Sequence, residues 1–205
     1  MSREEFEMLL AANAAVIEQI HDCAWQLHES VNQHYGDGLP YGHHLNMVVD
    51  GVMRYGHEVI ADPADLLPVV FGAFFHDSIE DARLTYHDVL DVARRFMDDK
   101  QALMAAEIVY AVTNDKGRTR AERAGERYYA GIRQTPYAPF VKLCDRIANT
   151  RFSVEKNDGV AVDAMAQVYC REYPHFISSI TVNSRDIRFT LPREAVDFLN
   201  SISGV

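Results

Sequence analysis

Leu66-Leu67-Pro68-Val69-Val70-Phe71-Gly72-Ala73-Phe74-Phe75-His76-Asp77-Ser78-Ile79-Glu80-Asp81 is the stretch on which the fold turns. It is nearly all apolar up to Phe75 and acidic at its end. A parallel-sheet strand over residues 69–75 is the alternative reading, but the run is long and no βαβ rhythm follows it. A buried helix suits it better. The flanking segments show helical spacing throughout, so the expected fold class is all-α, a bundle of roughly eight to ten helices.

Ser2 and Glu5 make a capping-box pattern, and Phe6, Leu9, Leu10, Ala14, Ile17 and Ile20 recur at helical spacing, with the pattern reaching about residue 34. Gly36-Asp37-Gly38-Leu39-Pro40 reads as a loop, and a second helix is expected over residues 42–55. Thr85 reads as an N-cap of a helix to Met97, with Asp88 in its first turn. Further helices are expected over residues 100–112, 121–133, 137–154, 160–181 (with Pro174 a point of breakage) and 193–201, with Pro192 at N1. No repeat or linker divides the 205 residues, which suit a single domain.

Composition excludes more than it identifies. The formal net charge of −10 argues against a nucleic-acid-coating protein. No apolar run nears the roughly 20 residues that span a bilayer, and the polar, acidic start is unlike a secretory signal. The three scattered cysteines lack Cys-x-x-Cys spacing and fit reduced thiols of a cytoplasmic protein. If the substrate is a phosphate ester, a divalent cation and local basic groups must reverse the overall field.

His-Asp dipeptides occur three times. His21-Asp22 lies on an amphipathic helix, and His87-Asp88 opens one, where the carboxylate complements the helix dipole; both read as structural. His76-Asp77 follows an apolar run that would carry it into the core, where an unpaired Asp is costly. A metal ion would remove that cost. Glu80 and Asp81, each four residues after a member of the pair, would share its helical surface. The plain alternative is a helix running out into an acidic loop. Asp145, in Val141-Lys142-Leu143-Cys144-Asp145-Arg146-Ile147-Ala148-Asn149, sits among apolar residues with Asn149 one turn on. Arg146 or backbone donors would satisfy it as well as a metal would. His44 projects with Met47, Val48 and Gly51 on a buried face, while His43 points toward solvent or substrate.

Together these elements resemble the His…His-Asp…Asp ligand order of the HD-domain phosphohydrolase superfamily. The likeness is greatest to the stand-alone RelA/SpoT-group hydrolases of guanosine tetraphosphate (ppGpp). Leu39-Pro40-Tyr41-Gly42-His43-His44 resembles that group's Thr-Pro-Tyr-Ile-x-His. Phe75 to Asp81 resembles Leu-His-Asp-Thr-Val-Glu-Asp, and Val112-Thr113-Asn114-Asp115-Lys116 resembles Val-Thr-Asp-Asp-Lys, with Glu122-Arg123 following. Val141 to Asn149 resembles Val-Lys-Leu-Ala-Asp-Lys-Leu-x-Asn. The four blocks fall in order over about residues 10–180.

The resemblance implies an HD-domain helical bundle holding one divalent ion, commonly Mn²⁺, on His44, His76, Asp77 and Asp145, although such a donor set also suits Fe, Co, Ni or Zn. It implies that Glu80 and Asp81 activate water, that Lys116, Asn149 and Tyr173 contact a nucleotide-type small molecule, and that the reaction is hydrolysis of its 3′-pyrophosphate. The chain departs from the group where an Arg-Lys pair packs on guanine. Gln33-His34-Tyr35-Gly36-Asp37 stands there, with Tyr35 or His34 left to stack on a base, and Leu45 replaces the proline after the first ligand histidine. Another phosphorylated metabolite, such as a nucleotide 3′-phosphate, a nucleoside monophosphate or NADPH, is therefore the alternative substrate. A di-iron oxygenase of the same superfamily would need more histidines between Asp77 and Asp145 than His87. A non-catalytic nucleotide-binding module is disfavoured by the chemically competent residues at all six metal and acid–base positions.

Overall fold

The computed structural model describes residues 1–155 and 164–204, and it is all-α apart from one short hairpin. Helix α1 (Arg3–Ser30) starts at the expected capping box: the Ser2 hydroxyl accepts from the Glu5 N–H, and the Glu5 carboxylate accepts from the Ser2 N–H at 2.7 Å. It stops at Ser30, short of His34, because Asn32 turns the chain with φ of 56°. The expected loop is instead a two-rung antiparallel hairpin of β1 (His34–Tyr35) and β2 (Leu39–Pro40), pairing His34 with Pro40 and Tyr35 with Leu39. Gly36 and Gly38 supply its positive φ angles.

Helix α2 (Gly42–Tyr55) follows with the expected bounds, and α3 (Leu66–Phe75) is the buried helix foreseen in the deciding stretch. A helix that is apolar all round has to be surrounded, and α3 packs against α1, α2 and α5 (Asp99–Val112). Helix α4 (Tyr86–Ala93) has Thr85 as N-cap and Asp88 closing a capping box, but it ends before Met97. The helix expected over residues 121–133 is two, α6 (Arg120–Arg123) and α7 (Glu126–Gln134), with Gly125 at the break. Helix α8 (Ala138–Glu155) packs on α2, and α9 (Ala164–Ile180) carries Pro174 within its length. The first residues expected for α9, 160–163, lie outside those described. Helix α10 (Arg193–Ser203) places Pro192 at the N-cap rather than N1 and closes on Gly204 in the left-handed region. One continuous core draws side chains from α1 to α5 and α7 to α10.

Gly42 fixes how α2 leaves the hairpin. A Cβ there would stand 1.9 Å from Cε3 of Trp25 on α1, closer than any side chain tolerates. Gly42→Ala should therefore destabilise the fold by about 1–3 kcal/mol, the usual cost of overpacking. Urea unfolding checks this, and an unchanged midpoint would show that α1 and α2 are not held this close.

Candidate metal centre

Three separate elements bring the expected ligands together: His44 from the first turn of α2, His76 and Asp77 from the end of α3, and Asp145 from the middle of α8. The local reason differs at each. His44 rides the buried face of α2 with Val48 and Gly51, and is 1% exposed. His76 is the C-cap of α3, also 1% exposed, so the end of the most apolar helix drives it inward. Here the sequence reading needs correcting. The helix does not continue to Asp81 but stops at Phe75, and residues 76–81 form turns, closed by Ser78 N–H to Phe75 O at 2.9 Å and Asp81 N–H to Asp77 O at 2.9 Å.

The donor atoms converge. Nε2 of His44 lies 3.2 Å from Nε2 of His76, 3.7 Å from Asp77 Oδ2 and 3.4 Å from Asp145 Oδ1. His76 Nε2 lies 2.8 Å from Asp77 Oδ2 and 3.8 Å from Asp145 Oδ1. Two donors each ~2.1 Å from one ion stand about 3.0 Å apart at a right angle and about 3.4 Å apart at a tetrahedral angle. The observed separations bracket those values. His76 Nδ1 lies 2.8 Å from the Ala73 carbonyl, which can only accept, so Nδ1 keeps its proton and Nε2, facing the cluster, is the nitrogen that frees a lone pair when the ring is neutral. Among the described residues His44, His76 and Asp145 form a fully buried group able to hold a metal, their donor atoms within 4.8 Å of one another, and Asp77 approaches both imidazoles.

The electrostatics show how the cluster manages with protein groups alone. Burial opposes an imidazolium at His76, yet the charge and hydrogen bond of Asp77, with Asp145 behind, push its pKa up to about 9. Burial would raise both carboxyls, but His76 holds Asp77 low, and Lys142 together with His44 holds Asp145 low. Lys142 Nζ sits 2.8 Å from Asp145 Oδ2, so this lysine, not Arg146, is the neighbour that satisfies the aspartate. It occupies Oδ2 and leaves Oδ1 toward the imidazoles. Asp81, pushed up to about 6 by burial and by Asp77, lies beside the ligands and accepts from Gln33 Nε2 at 3.1 Å.

The ligands open onto a cavity of about 550 Å³. Its walls carry Arg120, Arg123, Lys142 and Arg146, opposed away from the ligand carboxylates by Glu126 and Glu172. Arg120 and Arg146 both grip Glu172, at 2.7 and 2.9 Å, and both guanidinium groups lie over the Tyr169 ring. Sequence reasoning missed this basic wall. Its cations come from α6 and α8, with α9 supplying Glu172 and Tyr169 to hold them, and no local pattern announces that these helices meet at one surface.

Of the expected substrate contacts, Asn149 lines the cavity. Lys116 does not: it is exposed in the loop after α5, and Asn114 takes the wall position. Tyr173 is also displaced. Its hydroxyl donates to Asn200 on α10, and Tyr169, one turn earlier on α9, faces the cavity instead. Tyr35 presents no free face to a base, since its ring stacks on His44 (centroids 4.8 Å) and packs on Phe152 (4.6 Å). His34 is exposed, its ring bonded to the Asn32 carbonyl. Glu80 is exposed, and its oxygens accept from the backbone and side-chain amides of Asn114 at 2.7 and 3.0 Å. His21-Asp22 is a surface pair at 2.9 Å, and Asp88 serves as a cap, as expected.

A cation entering this cluster must displace the His76 proton. Affinity for Mn²⁺ should therefore rise with pH through the neutral range, about tenfold per unit for each proton displaced, and level off above about pH 9. Calorimetric titration at about pH 6 and pH 8 measures it, and equal affinities would contradict the protonated cluster. No family model matches the chain, and no curated protein matches its sequence.

Proposed function

We propose that this protein is a metal-dependent phosphohydrolase of the HD type, acting on the 3′-pyrophosphate of ppGpp. One observation carries the hydrolase reading: two buried imidazoles and two carboxylates converge at the wall of a cavity that also holds four cationic side chains. The four sequence blocks quoted above support the nucleotide. A divalent ion on His44, His76, Asp77 and Asp145 would lower the pKa of water and offset charge on phosphoryl oxygens. The chain's own residues supply the rest. Arg120, Arg123, Lys142 and Arg146 give a chain of net charge −10 a local surface that accepts a polyanion. Asp81 takes the proton of the attacking water as the water oxygen bonds to phosphorus and the phosphorus–O3′ bond breaks, and the same proton passes from Asp81, directly or through solvent, to the departing O3′. Glu80 acts through Asn114, holding that residue at the cavity wall.

A second reading, hydrolysis of another phosphorylated metabolite, draws support from the packing of Tyr35 against His44 and from the exposure of Lys116 away from the cavity. Both residues stand where ppGpp recognition would need them free or inward.

Incubation with Mn²⁺ and ppGpp should release GDP and pyrophosphate. Turnover of a different phosphorylated nucleotide alone would establish the second reading, and no turnover across a panel differing in 2′, 3′ and 5′ phosphates would overturn both. Within an active enzyme, Asp81→Asn should lower kcat by about 10²–10⁴. Glu80→Gln should cost much less, because its amide oxygen keeps one of the two bonds from Asn114. Equal losses in the two variants would contradict this division of roles.

A further inference from the structure

The segment that replaces the base clamp, together with Tyr41 after it, bonds Asp77 and Asp81 directly and reaches Asp145 through Asn149. Tyr41 donates its hydroxyl to Asp77 Oδ2. Gln33 Nε2 donates to Asp81 Oδ2 at 3.1 Å. Tyr35 donates to Asn149 Oδ1 at 3.0 Å, and Asn149 Nδ2 in turn donates to Asp145 Oδ1 at 2.5 Å. Three residues of one hairpin region thus reach three carboxylates that come from two other elements.

The hairpin is itself held firmly. The Tyr41 ring stacks on the buried His28 of α1, centroids 4.6 Å apart at 21°. The Tyr35 ring lies between His44 and Phe152. Gly36 brings the turn so near α8 that a Cβ there would stand 2.7 Å from Phe152 Cζ. Of the two phenols, Tyr41 donates to a carboxylate and Tyr35 to the Asn149 amide oxygen.

We propose that residues 33–41 form a strap that orients the carboxylates of the metal centre, with Tyr35, Tyr41 and Gln33 as positioning residues and not as contacts to a base. This rests on the metal reading of the site. Outer partners of this kind hold a ligand's lone pair in direction, and their loss typically weakens metal binding about 10–100-fold. A base contact would behave differently, since its loss raises KM for substrate and leaves metal affinity alone.

The test is Mn²⁺ titration of the full chain by calorimetry, for wild type, Tyr35→Phe and Tyr41→Phe, alongside thermal melting. The phenylalanines keep the ring packing and delete only the hydroxyls, and should either variant fail to fold, the other carries the test. The expected result is one Mn²⁺ bound by wild type and affinity about 10–100-fold weaker in the variants, with KM unchanged at saturating Mn²⁺. Gln33→Leu should lower kcat without changing Mn²⁺ affinity. Wild-type binding matched by both tyrosine variants overturns the strap alone. No binding by wild type overturns the metal centre and the strap together. A raised KM with full Mn²⁺ affinity in Tyr35→Phe returns that residue to substrate recognition.

Discussion

Four side chains with acceptor atoms meet in the protein interior, where acceptors repel one another unless a positive charge lies between them. The Nε2 atoms of His44 and His76 lie 3.2 Å apart, and each is 2.8 to 3.8 Å from a carboxylate oxygen of Asp77 and of Asp145. Burial makes that arrangement costly without a cation, and the chain supplies only partial relief through Lys142 and a proton on His76. The fold serves this meeting point. Helix α3 has to be central because it is apolar on every side, and its early stop at Phe75 turns His76 and Asp77 toward α2 and α8. Packing of α2 on α8 then sets His44 against Asp145.

Around this centre the acidic excess of the chain is offset, with four cationic side chains facing four carboxylates. The chain carries −10 overall, yet the cavity beside the cluster has three arginines and a lysine, on α6 and α8. Arg120 and Arg146 are kept in place by Glu172 and by the Tyr169 face, so their guanidinium groups are arranged before any anion arrives. Pre-arranged cations cost less to engage than flexible surface lysines such as Lys116. This ties the cavity's chemistry to the packing of α6, α8 and α9, which holds these cations beside the cluster.

The helical class, the bounds of α2 and the buried character of α3 were legible because they follow from apolar periodicity and from capping residues. The four ligand-type residues were legible as well, since a charged or imidazole group in an apolar run is conspicuous. What could not be read was direction. Glu80 and Asp81 were placed on a helix that ends five residues before Glu80, so their separation in space came out wrong, and Glu80 turned to Asn114. Tyr173 was taken one helical turn too late on α9, where the hydroxyl meets α10. Tyr35 looked free because a two-residue strand has no periodicity, and nothing local reveals that Phe152, 117 positions later, packs on it. The outer bonds of Tyr41, Gln33 and Tyr35 are all long-range in sequence and follow only from the tertiary arrangement.

The central claim is that these four side chains hold one divalent cation. Crystals grown with Mn²⁺ and measured on both sides of the manganese absorption edge test it most directly. The account predicts a single anomalous peak per chain within bonding distance of His44 Nε2, His76 Nε2, Asp77 Oδ2 and Asp145 Oδ1. A crystal soaked in Mn²⁺ at neutral or higher pH with no peak there, or with its only peak elsewhere on the chain, would contradict it.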